Sequence, residues 1–110
     1  MRIGMLLASG PERRDRILVL RLAEASLERG HGVHLFLMKE GVECVRNRPD
    51  NPIAGELDRL MAKGMEVTLC SLNARRRGMS QNDTIPGVAF GSQYDHARLV
   101  AGSDRYLAFA

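Results

Sequence analysis

Hydrophobic and polar positions alternate between two periods along the chain. Residues 1–8 form a nearly unbroken apolar run, interrupted by Arg2 and Gly4. Unbroken apolar strands belong to parallel sheets covered on both faces. Ser9-Gly10-Pro11 ends the run. From residue 13 to 29 the period changes to 3.6. Ile17, Leu20, Ala23 and Leu27 mark one stripe, Arg13, Arg14, Glu24 and Glu28 occupy the remainder, and Gly30 supplies a C-terminal stop. Residues 33–38 read as a second strand. Residues 41–46 read as a short helical turn, and Arg48-Pro49-Asp50-Asn51-Pro52 as a loop. A second helix is predicted over 53–63, with Ile53, Leu57, Leu60 and Met61 inward and Gly64 as its stop. Residues 65–70 predict a third strand, 71–77 a short helix ended by Gly78, and 81–86 a polar loop. Residues 88–90 predict a fourth strand. A helix follows over 92–101, with Tyr94, Ala97 and Val100 on one side, and a closing strand over 105–109.

The resulting order, βαβαβ(α)βαβ, predicts an α/β fold. Right-handed crossovers then place helices on both faces of a mostly parallel sheet of about five strands, in three layers. One domain spans residues 1–110, with no internal repeat or linker. Ligands in such folds sit beyond the carboxyl ends of the strands. This directs attention to Ser9 and Gly10, to Glu40 and Gly41, to Cys70 and Ser71, and to Gly91 and Ser92, as a strand-end pocket.

Composition narrows the function classes. Of 110 residues, 45% are hydrophobic and 26% charged, which excludes a disordered tail or a disulfide-dense mini-protein. No apolar run reaches a bilayer span, and residues 3–8 are too short for a signal peptide, so a cytoplasmic protein without a membrane partner is expected. The net charge is +3, and only Lys39 and Lys63 among the sixteen basic residues are lysine. Arginine favours anionic partners. Aromatic content of 5% with no Trp argues against a base-stacking nucleic-acid surface.

Cys70 is the most informative residue. It lies where the third strand meets a short helix, and a helix N-terminus favours thiolate. Such a thiolate suits nucleophilic or sulfur-transfer chemistry; the competing reading is a buried, inert thiol. Cys44 reads as a packing residue. Two isolated cysteines and the His31-x-x-His34 spacing leave no metal site. His96 reads as a partly exposed surface residue. Ser9-Gly10-Pro11 lacks both the GxGxxG and GxxxxGK[ST] patterns, so a nucleotide-binding flavodoxin-like domain is the weaker alternative.

Taken together, several segments resemble the DsrE/DsrF/TusD family of small sulfur-relay proteins, over essentially the whole chain. They are the strand ending Ala8-Ser9-Gly10-Pro11, the helix end Leu27-Glu28-Arg29-Gly30-His31, and Glu40-Gly41-Val42. The most specific is Cys70-Ser71-Leu72-Asn73-Ala74-Arg75-Arg76-Arg77-Gly78, similar to the branches in which a strand-end Cys precedes an Arg-Gly pair. The resemblance implies a homo-oligomer, often built on trimers, that needs no cofactor. It also implies that Cys70 accepts sulfane sulfur as a persulfide and passes it between donor and acceptor proteins. Backbone N–H groups of Ser71 and Leu72, with Arg76 or Arg77, would stabilise the anion. Ser71, Leu72 and Asn73 stand where the family often has small residues. The alternative is a non-catalytic oligomeric scaffold or small-anion-binding module of the same fold.

Overall fold

A computed structural model describes residues 1–110. Five strands, β1 (Arg2–Leu7), β2 (Gly32–Leu37), β3 (Glu66–Cys70), β4 (Ala89–Gly91) and β5 (Arg105–Phe109), form one sheet in the order β4-β3-β2-β1-β5. Every neighbouring pair is parallel. Four helices connect them: α1 (Asp15–Glu28), α2 (Pro52–Ala62), α3 (Ser71–Arg76) and α4 (Gln93–Gly102). The turn expected after β2 is a 3₁₀ segment, Lys39–Val45, and the polar loop contains another, Gln81–Asp83.

The strand order fixes the layers. β1, β2, β3 and β4 step in one direction, so right-handed crossovers put α1, α2 and α3 on one face. The connection from β4 back across the sheet to β5 puts α4 alone on the other. The two cores reflect this division. The larger one joins Met5, Leu7, Leu35, Leu37, Val67 and Leu69 to α1, α2, α3 and the first 3₁₀ segment. The smaller one, under α4, contains Phe36, Cys70 and Leu99, with Leu6, Met38 and Tyr106 packed around it. A strand's side chains alternate faces, so β3 sends Leu69 into the first core and Cys70 into the second.

Two helical stripes differ from the sequence reading. In α1 the buried residues are Val19, Leu20 and Ala23, whereas Ile17 is 43% exposed. Apolar residues occupy more than one face of this helix, and the sheet selects among them. In α4, Tyr94 and Val100 are exposed and Leu99 is buried instead. Leu99 fits because it lies over Gly4, where a methyl group would come 2.4 Å from its Cδ2. Gly30, Gly64 and Gly78 all follow helices with φ of 82°, 108° and 68°. These are left-handed conformations that favour glycine.

Candidate functional site

β3 ends at Cys70, which also serves as the N-cap residue of α3, with extended backbone (φ −73°, ψ 113°). Ser71 and Leu72 therefore open the helix, where N–H groups have no intrahelical acceptor. Cys70 pairs in register with Gly91 of β4. Its residue exposure is 5%, so the thiol is covered in the resting molecule. Leu72, two residues on, is 48% exposed.

The neighbouring strand end is held to this corner. Lys39 follows β2 with φ 53°, and it is the only non-glycine residue with positive φ. Its backbone N–H donates to Asn73 Oδ1 at 2.7 Å, which ties the turn after β2 to the first turn of α3. Non-glycine residues reach this region at a cost, so the surrounding contacts must hold it there. Neither Lys39 nor Asn73 stands out in the sequence as a strained pair, because no local pattern marks the conformation.

The arginines divide. Arg77 Nη1 lies 3.4 Å from Glu43, which also holds Arg46 through two contacts. Hydrogen bonding to Arg46 holds the Glu43 carboxyl below its ordinary range. Arg77 is thus directed to the first 3₁₀ segment, and Arg76 is exposed and forms no ion pair.

Of the other predicted strand-end residues, Ser9, Gly10 and Gly41 are buried, Gly91 is half-buried, and Glu40 and Ser92 are open. Gly41 is buried, and a methyl there would come 2.2 Å from the Leu7 carbonyl oxygen. Ser9 is buried, and its carbonyl lies 3.9 Å from Cys44 Sγ. Burial pushes the Cys44 thiol up to about 12. Gly10 lies under the Glu12 carboxylate, whereas Glu40 is exposed. Gly91 leaves room for Asp95, which accepts from the Ser92 N–H at 2.7 Å and closes a capping box on α4. Of these residues only Gly91 is paired with Cys70, whereas Ser9 lies against Cys44 and Gly41 against Leu7. The five principal clefts are lined by other residues.

Two polar networks flank the Cys70 face. His96 stacks on Phe36, and its Nε2 lies 2.7 Å from Tyr106 Oη while Nδ1 lies 3.0 Å from Gln93 Oε1. The Gln93 oxygen can only accept, so Nδ1 carries the proton and the Tyr106 hydroxyl donates to Nε2. On the same sheet face, His34 Nε2 lies 2.8 Å from Thr68 Oγ1 and Nδ1 lies 3.3 Å from Glu66. Desolvation lowers the pKa of both imidazoles. His96 is half-buried, in line with the partly exposed residue read from the sequence, but its ring is held by Phe36, Gln93 and Tyr106. The sequence signal was weak: a histidine on a helix must be matched to a tyrosine ten residues later, across a chain reversal. No group of three or more metal-ligating side chains is present.

The fold and the sequence have clear relatives. The chain is 30% identical over 112 residues to the uncharacterized protein MK0008 of Methanopyrus kandleri, covering 97% of this chain and 93% of that one. It is 27% identical to the uncharacterized protein MJ0989 of Methanocaldococcus jannaschii, covering 99% and 100%. Among solved structures, the ychN protein from E. coli superposes with a TM-score of 0.86 at 28% identity, covering 99% of both chains. The protein MTH1491 from Methanobacterium thermoautotrophicum shares the fold, with a TM-score of 0.78 at 20% identity over 96% and 97% of the two chains. Residues 1–109 match the DsrE/DsrF-like family, and this chain belongs to it.

Proposed function

We propose that this protein carries sulfane sulfur as a persulfide on Cys70. Membership of the DsrE/DsrF-like family supports a sulfur-relay-related role at the level of the family. The observation that carries the finer reading is the different setting of the two thiols. Cys44 is fully buried in the larger core and its thiol is pushed up to about 12, whereas Cys70 caps a helix at a strand end and belongs to a separate small cluster. Only the second position suits a nucleophile.

In the proposed cycle the Cys70 thiolate attacks the outer sulfur of a donor persulfide. A Cys70 Sγ–S bond forms, the donor's S–S bond breaks, and the donor leaves as a thiolate that takes up a proton. An acceptor thiolate then attacks the same outer sulfur and releases Cys70. The two steps follow thiol–disulfide exchange logic and conserve oxidation state overall. The N–H groups of Ser71 and Leu72, at the start of α3, would supply donors for the persulfide anion, and exposed Arg75 and Arg76 offer charge for an acidic donor or acceptor protein. No cofactor takes part.

The 5% exposure of Cys70 favours one competing reading, a non-catalytic scaffold or anion-binding module. Intact mass after incubation of the reduced protein with a persulfide donor separates the two. Wild type should gain one sulfur, about 32 Da, and Cys70→Ser should not. No gain in either protein assigns the scaffold role, and a gain retained in Cys70→Ser assigns the carrier thiol to Cys44.

A further inference from the structure

Three side chains that the proposed sulfur chemistry does not use stand together on the α4 face of the sheet. His34 Nε2 lies 2.8 Å from Thr68 Oγ1, and His34 Nδ1 lies 3.3 Å from the Glu66 carboxylate. A carboxylate only accepts, so Nδ1 carries the proton. Nε2 is then an acceptor, and the Thr68 hydroxyl donates to it. Hydroxyl, imidazole and carboxylate in this order are the parts of a nucleophile, its general base and the group that orients the base. Desolvation lowers the His34 pKa from its ordinary 6.5, so the ring is neutral at pH 7 and free to take a proton.

Packing fixes the hydroxyl and leaves it a cleft. Thr68 is buried, and its methyl fills the space over Gly91, where an added Cβ would come 2.8 Å from Thr68 Cγ2. With the methyl held against β4, the hydroxyl meets His34 on β2. α4 crosses this face obliquely, with Asp95 over Gly91 of β4 and with Leu99 and Ser103 over Gly4 of β1. The side chains of His34 and Glu66 stay 31% and 72% exposed. Both, with Thr68, line a cleft of about 490 Å³. Met61, Ala62 and Pro86 give it an apolar wall, Asp58 adds a second carboxylate, and no lysine or arginine lines it. Such a lining suits an uncharged, apolar acyl group.

We propose that Thr68, His34 and Glu66 form a second reactive site, independent of Cys70, that hydrolyses carboxylic esters with a small apolar acyl group. Thr68 Oγ1 adds to the ester carbonyl carbon as its proton passes to His34 Nε2. The bond from that carbon to the alcohol oxygen breaks, and the alcohol leaves with the proton. Water then gives a proton to the same nitrogen and attacks the acyl carbon. The carboxylic acid is released, and Thr68 recovers its proton. Glu66 is a positioning residue: it orients the imidazole and stabilises its charged form without touching the substrate.

p-Nitrophenyl butyrate tests the proposal, with intact mass, peptide mapping and circular dichroism. Wild type should release p-nitrophenol and carry a butyryl group, about 70 Da, on Thr68. Thr68→Val, which keeps the branched shape, and His34→Gln should each lower turnover by about 100-fold or more, and Thr68→Ser should retain it. The charges facing His34 are Glu66 on β3, Arg2 on β1 and Asp95 on α4. Only the neutral ring acts as base, so the rate should fall as pH drops through a value below 6.5. Glu66 raises the His34 pKa, so Glu66→Gln should lower kcat and also move that limb to lower pH. No turnover by folded wild type overturns the proposal. So does an acyl group mapped to Cys70 or a lysine instead of Thr68, or a rate unaltered in Thr68→Val. Should Thr68→Val not fold, a fluorophosphonate decides on the wild type. It must form a P–O bond to Thr68 with loss of fluoride, and an unlabelled Thr68 overturns the assignment.

Discussion

The imidazole of His96 lies on the ring of Phe36 with centroids 4.7 Å apart and planes 10° from parallel. This stack is the polar boundary of the cluster that holds Cys70, and it couples that face to pH. Both His96 and His34 have pKa values lowered by desolvation from an ordinary 6.5. The unfolded chain therefore binds protons that the native state resists, and stability must fall as pH drops through 6.5. A urea midpoint measured from pH 7.5 to 5.5 should decline, and His96→Gln should decline less steeply. A flat wild-type profile would contradict the burial of both rings.

A second loss of stability belongs at lower pH. Glu24 is held near 2 by Arg59 and Lys63, and Glu43 is lowered by Arg46 and Arg77. Native carboxylates with depressed pKa stabilise above their ordinary value of 4.5 and lose that contribution as pH falls below it. Replacing Glu43 by Gln should reduce the acid-side slope below pH 4.5 without altering the slope between 7.5 and 5.5.

Gly41→Ala should be among the most damaging single-methyl substitutions. The new Cβ would sit 2.2 Å from a backbone oxygen of Leu7, which cannot rotate away. Forced overpacking costs about 1–3 kcal/mol, and a rigid neighbour places this site at the upper end. Gly55→Ala is the control, because nothing lies within 4 Å of its added methyl. It should be neutral or slightly stabilising, as expected for a helix interior. Equal denaturation midpoints for the two variants would refute the argument.

Asn73→Ala removes the acceptor that holds the Lys39 N–H at 2.7 Å. The cost should be about 1 kcal/mol, and Asn73→Asp, which keeps an acceptor, should cost less. Hydrogen exchange at Lys39 is the direct readout: it should accelerate in Asn73→Ala and stay slow in Asn73→Asp.

The two thiols should separate under native alkylation. Cys44 is 0% exposed with its thiol near 12, so it should label only on global unfolding. Cys70 is 5% exposed in a cluster under one helix and should label through local opening, well before Cys44. Peptide mapping after partial labelling measures the order. Simultaneous labelling would mean that α4 is no more mobile than the larger core.

The sequence by itself determined the order of elements, the boundaries of β5 and the glycine stops after α1, α2 and α3. Those features rest on local periodicity and on backbone conformations that one residue type favours. It also singled out Cys70 at a strand–helix junction, because that position depends only on where β3 ends. Tertiary structure decided the rest. Which apolar residues of α1 and α4 face inward depended on the sheet, since both helices offer more than one apolar face and only Gly4 makes room for Leu99. The strand order turned Cys70 toward the face covered by α4 alone, and it left β5 with a free edge. The His96–Tyr106 contact, the left-handed Lys39 and the burial of Gly41 all arise from segments brought together across the sheet. Period and composition carry no information about such pairings, because contacts distant in the chain are chosen by shape and by the free energy of the whole packing.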